Sequence, residues 1–352
     1  MFRIIFLFIF LIVSNTALSS QKNTENQAVE NAAVYYLKAF NSLHYPKSME
    51  VKNKINIVIK NGWQADYKEL EKLLNQNEIC FKEFKKGVSL KKCDFNFGKK
   101  YKYLIQKEPP PFLKIIQLSE LLLLKGRYLE KKGNYDEAID IYLSLLTFSL
   151  HISQANSTLS QIISLRIEKD TYMLLKNYLN SDKVTRKNAI KISNYLEDYE
   201  KNHFSIEDTV EKEKEIFISS VQMLVDKIDS EKNGEKILEF KKEILKQAHS
   251  LADYYYGLLI KAVKTNKERD WNVVYRKIQN LQKEVKMAGI STEIIGDLTK
   301  GRLKNLNKKL ANQIVKITLL ISFPNIKKMV DSYYLRMKEL KELKLLANMK
   351  AR

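Results

Sequence analysis

Apolar positions recur at helical rather than strand spacing along nearly the whole chain. Between Glu30 and Leu43 they fall at Ala33, Tyr36, Leu37, Phe40 and Leu43, the three-and-four rhythm of one helix face. His44-Tyr45-Pro46 ends that run, because a proline disfavours helical backbone in the residue before it. A second helix is predicted from Ala65 through Leu70, Leu73, Leu74, Ile79 and Cys80 toward Phe84, with Gly87 as its stop. Met49 to Ile59 alternates weakly, so a short strand competes there. Lys82 to Lys107 is the least helical stretch, and Pro109, Pro110 and Pro111 set a rigid stop after it. Beyond the prolines the pattern predicts helices over 112–149, 161–180, 183–201, 206–230, 235–265, 271–287, 292–322 and 324–350. Ser205 with Asp208 resembles a capping box, Asp270 is placed to cap the helix at Trp271, Pro324 suits a first helical turn, and Asn233-Gly234 reads as a turn.

Ten glycines and five prolines in 352 residues leave too few turn formers for an all-β fold, and too few glycines for most phosphate-cradling loops. The fold class expected is therefore all-α, with long helices in the C-terminal part.

The segment 112–149 carries the strongest local signal. Gly126 and Ala138 are small where two antiparallel helices would touch, Gly133 turns the chain, Asn134 with Glu137 can cap the second helix, and Tyr142 and Leu145 can fill the groove between them. With Leu122, these positions resemble the tetratricopeptide repeat over about 119–152, most closely along Gly133-Asn134-Tyr135-Asp136-Glu137-Ala138-Ile139. Leu129 departs from the family's usual aromatic, and Leu150 stands where a proline would end the unit. No second copy follows at that period. Either degenerate hairpins stack on this one as an irregular solenoid, or it is an ordinary hairpin in an α/α bundle.

The resemblance implies that Glu120, Leu123, Arg127, Glu130 and Lys131 line the face that such repeats offer to a protein or peptide, with Leu122, Leu129, Tyr135, Tyr142 and Leu145 in the core. Arg127 and Lys131, one turn apart, would meet acidic groups of a partner.

The amino terminus adds a compartment. Met1, Phe2 and Arg3 precede ten apolar residues, Ile4 to Val13, and then the small and polar stretch Ser14 to Ser20. This is the layout of a secretory signal peptide, with cleavage expected after Ser19; the alternative is an uncleaved anchor. The run falls short of the roughly 20 residues that span a hydrocarbon core. An exported protein, periplasmic or secreted, is expected, divided into 1–19 signal peptide, 20–111 helical segment with a basic loop, 112–202 hairpin region and 203–352 long helices.

A formal charge of +20 invites an anionic partner. Lysine outnumbers arginine 52 to 9, however, and arginine is the residue that bidentate phosphate recognition favours, so nucleic acid is not the expected partner. Between Lys82 and Lys107 nine lysines face only Glu83 and Asp94, with Phe84, Phe95, Phe97, Tyr101 and Tyr103 interleaved. Lys85, Lys86, Lys91, Lys92, Lys99 and Lys100 are the candidates for an anionic membrane or envelope polymer. The alternative is that the rings pack under a loop and the lysines stay solvated.

Cys80 and Cys93 could close a disulfide after export, or remain buried thiols. His44, His151, His203 and His249 show no paired spacing, so neither metal nor cofactor is expected. His249, among Leu245, Ala248 and Tyr254, reads as a core or interface histidine. Tyr254-Tyr255-Tyr256 cannot form one platform on a helix; two should pack and one face out. No catalytic motif is present, and the chain is read as a non-enzymatic scaffold that binds a protein or peptide, with polymer or membrane binding as one alternative and an enzyme whose residues converge from distant positions as another.

Overall fold

The computed structural model describes residues 31–155, 157–228, 234–288 and 306–352, and the expected signal peptide, the Asn233 turn residue and the start of the helix expected at Thr292 lie outside them. Among the described residues the chain is all-α, with no strand; a single bridge pairs Asn31 with Lys92. The helices are α1 (Ala32–Asn41), α2 (Met49–Asn61), α3 (Lys68–Gln76), α4 (Glu78–Val88), α5 (Phe112–Lys131), α6 (Tyr135–Ser153), α7 (Thr158–Leu179), α8 (Arg186–Lys201), α9 (Ile206–Asp226), α10 (Gly234–Thr265), α11 (Glu268–Met287), α12 (Lys308–Ser322) and α13 (Lys327–Ala351).

At the N-terminal end the competing strand is not formed and one expected helix is broken. The stretch that alternates weakly is the helix α2, which buries Ile55, Val58 and Ile59 and leaves Ile57 exposed. The long helix expected from Ala65 to Phe84 is broken at Asn77. That fully buried side chain accepts from the His44 amide and donates to the His44 carbonyl, both at 2.9 Å, and also donates to the Leu73 carbonyl, which ties the turn to the segment after α1. The second half, α4, continues to Val88, so Lys82, Lys85 and Lys86 are helical and Gly87 lies inside the last turn.

The α5–α6 hairpin is tight for a stereochemical reason. A Cβ on Gly126 would lie 2.2 Å from the Tyr142 ring, so only glycine lets the helices approach this closely. Gly133 turns the chain at φ +80°, where L side chains are disfavoured. Leu122, Tyr142 and Leu145 are buried as expected, while Leu129 and Tyr135 are half-buried. Asn134 occupies the N-cap position of α6 but its side chain makes no capping hydrogen bond.

Caps set the later boundaries. Ser157, Thr185 and Ser205 accept from the amides of Ser160, Asn188 and Asp208, starting α7, α8 and α9. Four expected starts shift by three residues: α7 begins at Thr158 and α8 at Arg186, α11 begins at Glu268, so Asp270 lies in its first turn and accepts from the Thr265 hydroxyl at 2.6 Å, and α13 begins at Lys327, beyond Pro324.

Buried apolar side chains form two clusters. The first runs from Ala32 to Tyr199 without a break at residue 111, so the expected boundary there is not a boundary between cores. The second takes in Ile206 to Val330 together with Leu165 of α7. The last helix joins them: Met329 and Val330 of α13 belong to the second cluster, and Leu340, Leu343 and Ala347 to the first. In the first block α5 has α2 and α7 on its flanks, and α13 packs along α7 and α8. Helix α8 lies against α6 and α13 and reaches α7 through the Tyr199–Glu168 hydrogen bond.

Candidate functional site

The face of α5 assigned to a partner is already occupied by the chain itself. Leu123 is buried. Arg127, also buried, donates from Nε to the Ile59 carbonyl at 3.0 Å and pairs with Glu130 at 2.7 Å. It thereby satisfies one of the last carbonyls of α2, which a helix end leaves without an intrahelical donor. Glu130 also accepts from the Tyr142 hydroxyl, and Lys131 pairs with Glu71 of α3 at 3.1 Å. Glu120 accepts from the Tyr45 hydroxyl and from Arg166 of α7 at 2.8 Å. Leu123 and Arg127 are thus buried, Glu120 and Glu130 are paired within the chain, and Lys131 is paired but still exposed, so most of this face makes internal contacts with α2, α3 and α7.

The open surface lies next to it. Helices α2 and α7 flank α5, and between them runs an open groove of about 740 Å³ lined by Asn53, Asn56, Ile57 and Lys60 from α2 and Arg166, Lys169 and Asp170 from α7. The α2 residues are spaced three and four apart and so share one face. Ile57 is 46% exposed, a large apolar side chain left without a partner in the first core. Three cations face one carboxylate. Burial raises the Asp170 carboxyl above its ordinary range, against the charges of Arg166 and Lys169, which lower it. Of the residues expected to bind a partner, only Glu120 reaches this groove, by anchoring Arg166. The α2 contribution is missed in the sequence because 49–59 does not read as a helix; the signal was the spacing of Asn53, Asn56, Ile57 and Lys60.

A second polar centre is closed. Glu168 is fully buried, and its Oε1 accepts from the Tyr199 hydroxyl at 2.8 Å, from His203 Nε2 at 3.1 Å and from the Ser164 hydroxyl at 3.3 Å. His203 lies between α8 and α9 among the rings of Tyr199, Phe204 and Tyr333. Burial lowers its pKa, but the Glu168 charge and hydrogen bond outweigh that and hold it above the usual imidazole value. With its side chain 2% exposed the imidazole can hold a proton but cannot meet a substrate.

Elsewhere the candidates separate. Phe84 packs on Tyr36 and Phe148, Phe95 stacks on Phe40, Tyr101 donates to Asn96 and Tyr103 to Asp226, so these rings pack inward or bond within the chain and do not form a stacking platform. Lys86 pairs with Glu83 and Lys99 with Glu108, while Lys85, Lys91, Lys92 and Lys100 are exposed.

Cys80 and Cys93 are free, so the expected bridge is not formed. Cys80 sits on α4 in the field of Lys114, whereas the Cys93 amide is held by Gln154 beyond α6; burial pushes the Cys80 thiol up to about 12 and raises Cys93 further. His151 is buried with Nδ1 2.6 Å from the Tyr36 hydroxyl, and His249 is exposed, not a core residue. Tyr255 and Tyr256 are buried and Tyr254 faces out. Among the described residues no group of histidine, cysteine, aspartate or glutamate is arranged to hold a metal ion.

No protein-family model, no curated protein and no solved structure matches this chain.

Proposed function

We propose that this protein is an exported, non-enzymatic scaffold that binds an extended segment of a protein partner in the groove between α2 and α7. The observation that carries the reading is the pair Asn53 and Asn56, one turn apart on the open face of α2, opposite Arg166 and Lys169. Side-chain amides both donate and accept, as an extended peptide backbone requires, and the cations favour acidic side chains. Ile57 offers an apolar seat between them. The lining residues include no nucleophile beside a base, which favours binding over catalysis.

Selection from a random peptide display library tests it. Acidic segments should be enriched, and Asn56→Ala with Lys169→Glu should abolish their binding while leaving thermal unfolding unchanged. Enriched peptides that bind the double variant as well as the parent, or no enrichment at all, would sink the proposal.

A further inference from the structure

Exposed apolar and cationic side chains share the outer face of α1 and α4. Ile79, Lys82 and Lys86 fall on one stripe of α4, with Lys85 beside it, and Ile79 is 68% exposed. On α1, Leu37 is 42% exposed, and the Tyr35 ring lies beneath two ammonium groups, Lys38 at 5.3 Å and Lys86 at 5.9 Å. Glu83 lies among them, with Glu78 at the start of α4 and Asp94 after the turn also exposed: Lys86 bonds Glu83 at 2.5 Å and, with Lys38 and Lys82 nearby, holds it below the usual carboxylate range. Lys91 and Lys92 extend the positive surface into the turn after α4.

The chain enters the fold at this surface. The Ala32 amide donates to the Lys92 carbonyl at 2.8 Å, and the Asn31 side chain accepts from the Asp94 amide and donates to the Asp94 carbonyl, both at 2.9 Å. The apolar run Ile4 to Val13 thus ends within about 60 Å of fully extended chain from a point fixed in the lysine-rich turn. Where that run enters a bilayer, it tethers the lysine-rich turn within that reach of the headgroups.

We propose that the α1–α4 face with the Lys91–Lys92 turn is a docking surface for the anionic headgroups of a lipid bilayer. Clustered lysines draw the face to negative headgroups, and Ile79 and Leu37 enter the interfacial zone. No described helix is long and apolar enough to cross a membrane, so this contact is peripheral. A soluble polyanion would use the same lysines but would gain nothing from the exposed apolar side chains, and this separates the two.

The test is co-sedimentation of the chain from Ser20 onward, which keeps every described residue, with vesicles of phosphatidylcholine alone or mixed with phosphatidylglycerol. Binding is expected only to the mixed vesicles and should fall at high salt. Charge reversal at Lys82, Lys85, Lys91 and Lys92 (each →Glu) should cut partitioning by at least about a hundredfold, given that one lysine near such a surface is worth about fivefold. Ile79→Ser should weaken it further without a change in charge. Replacement of the same four lysines by Gln serves if the reversed variant unfolds. Reversing Lys242, Lys261, Lys264 and Lys283 instead should leave binding nearly intact; an equal loss there would show that net charge alone acts and overturn the site. Binding to soluble polyphosphate but not to vesicles, or indifference to Ile79→Ser, would overturn the lipid assignment.

Discussion

The two cores bury polar side chains in different ways. In the first, many of those groups bond across elements: Asn77 to His44, Arg127 to the end of α2, Ser149 to Tyr199, Ser164 to the Ser149 carbonyl, Gln161 to the Ser153 carbonyl, and Asn188 to Asp136, while Ser119, Ser153 and Thr171 bond back to their own helices. In the second they bond locally. Thr209, Ser220 and Thr318 each donate to the carbonyl four residues earlier in the chain, and Asp270 takes the hydroxyl of Thr265 just before its helix. A cross-element bond has one permitted register, because sliding a helix strands a buried donor or acceptor. A bond back to the preceding turn moves with its own helix and specifies nothing about the neighbour. The first block is therefore fixed in register by polar pairs, and the second is held by apolar packing, with Ala248, Ala252, Ala262 and Ala311 fully buried.

The largest effect should come from Glu168→Ala. It leaves Tyr199 and His203 without their buried carboxylate acceptor, while Ser164 keeps the Ser149 carbonyl, and loss of one partner of a buried charged pair costs about 3–5 kcal/mol. Denaturant titration should show that loss; a change below about 1 kcal/mol would mean that the centre does not fix the register of α7 and α8.

Next in size is a pH effect of opposite sign at the two buried histidines. Burial lowers His151 to about 4, opposed by a hydrogen bond with the Leu90 backbone, so its site favours the neutral ring. Its contribution is complete above the unfolded value of about 6.5 and disappears as pH falls toward 4, a loss of about 3 kcal/mol. His203 is held above its ordinary value, so its contribution is complete below about 6.5 and is lost as pH rises through the raised folded value. Denaturation across a pH series should show both limbs. His151→Gln should flatten the acid limb alone and His203→Gln the alkaline limb alone; a limb that survives its own substitution is assigned to the wrong residue.

The smallest effect sharpens the contrast. Thr318→Val removes a buried hydroxyl whose partner is already a carbonyl of its own helix, and stability should change by no more than about 0.5 kcal/mol. A loss of more than about 2 kcal/mol would show that the second core also depends on its polar groups.

Helical spacing and punctuation made the fold class and most later helices legible, and Gly126 with Tyr142 could be read as a close contact because a small residue faces a large one at matched positions. Helix α2 was obscured by a coincidence of pattern. Ile55, Ile57 and Ile59 alternate like a strand, yet Ile57 faces the groove and Val58 completes the buried face. The break at Asn77 depends on the His44 backbone, 33 residues away, which local pattern does not contain. The same limit hid internal partners: Arg127 and Lys131 read as free charges one turn apart because nothing in 112–153 reveals the Ile59 carbonyl and Glu71 that they meet. Asn53 and Arg166 belong to one groove only after α5 has brought their helices together.

Helix α13 also has a consequence for the order of events during synthesis. The first core lacks Leu340, Leu343 and Ala347 until the end of the chain has been made, although its other members are complete at Tyr199. At elongation rates of about 5–20 residues per second, the surfaces of α7 and α8 that receive α13 stay uncovered for about 7–30 s after Tyr199 is joined. During that interval the nascent chain carries an apolar seat on α7 and α8 that α13 fills only later.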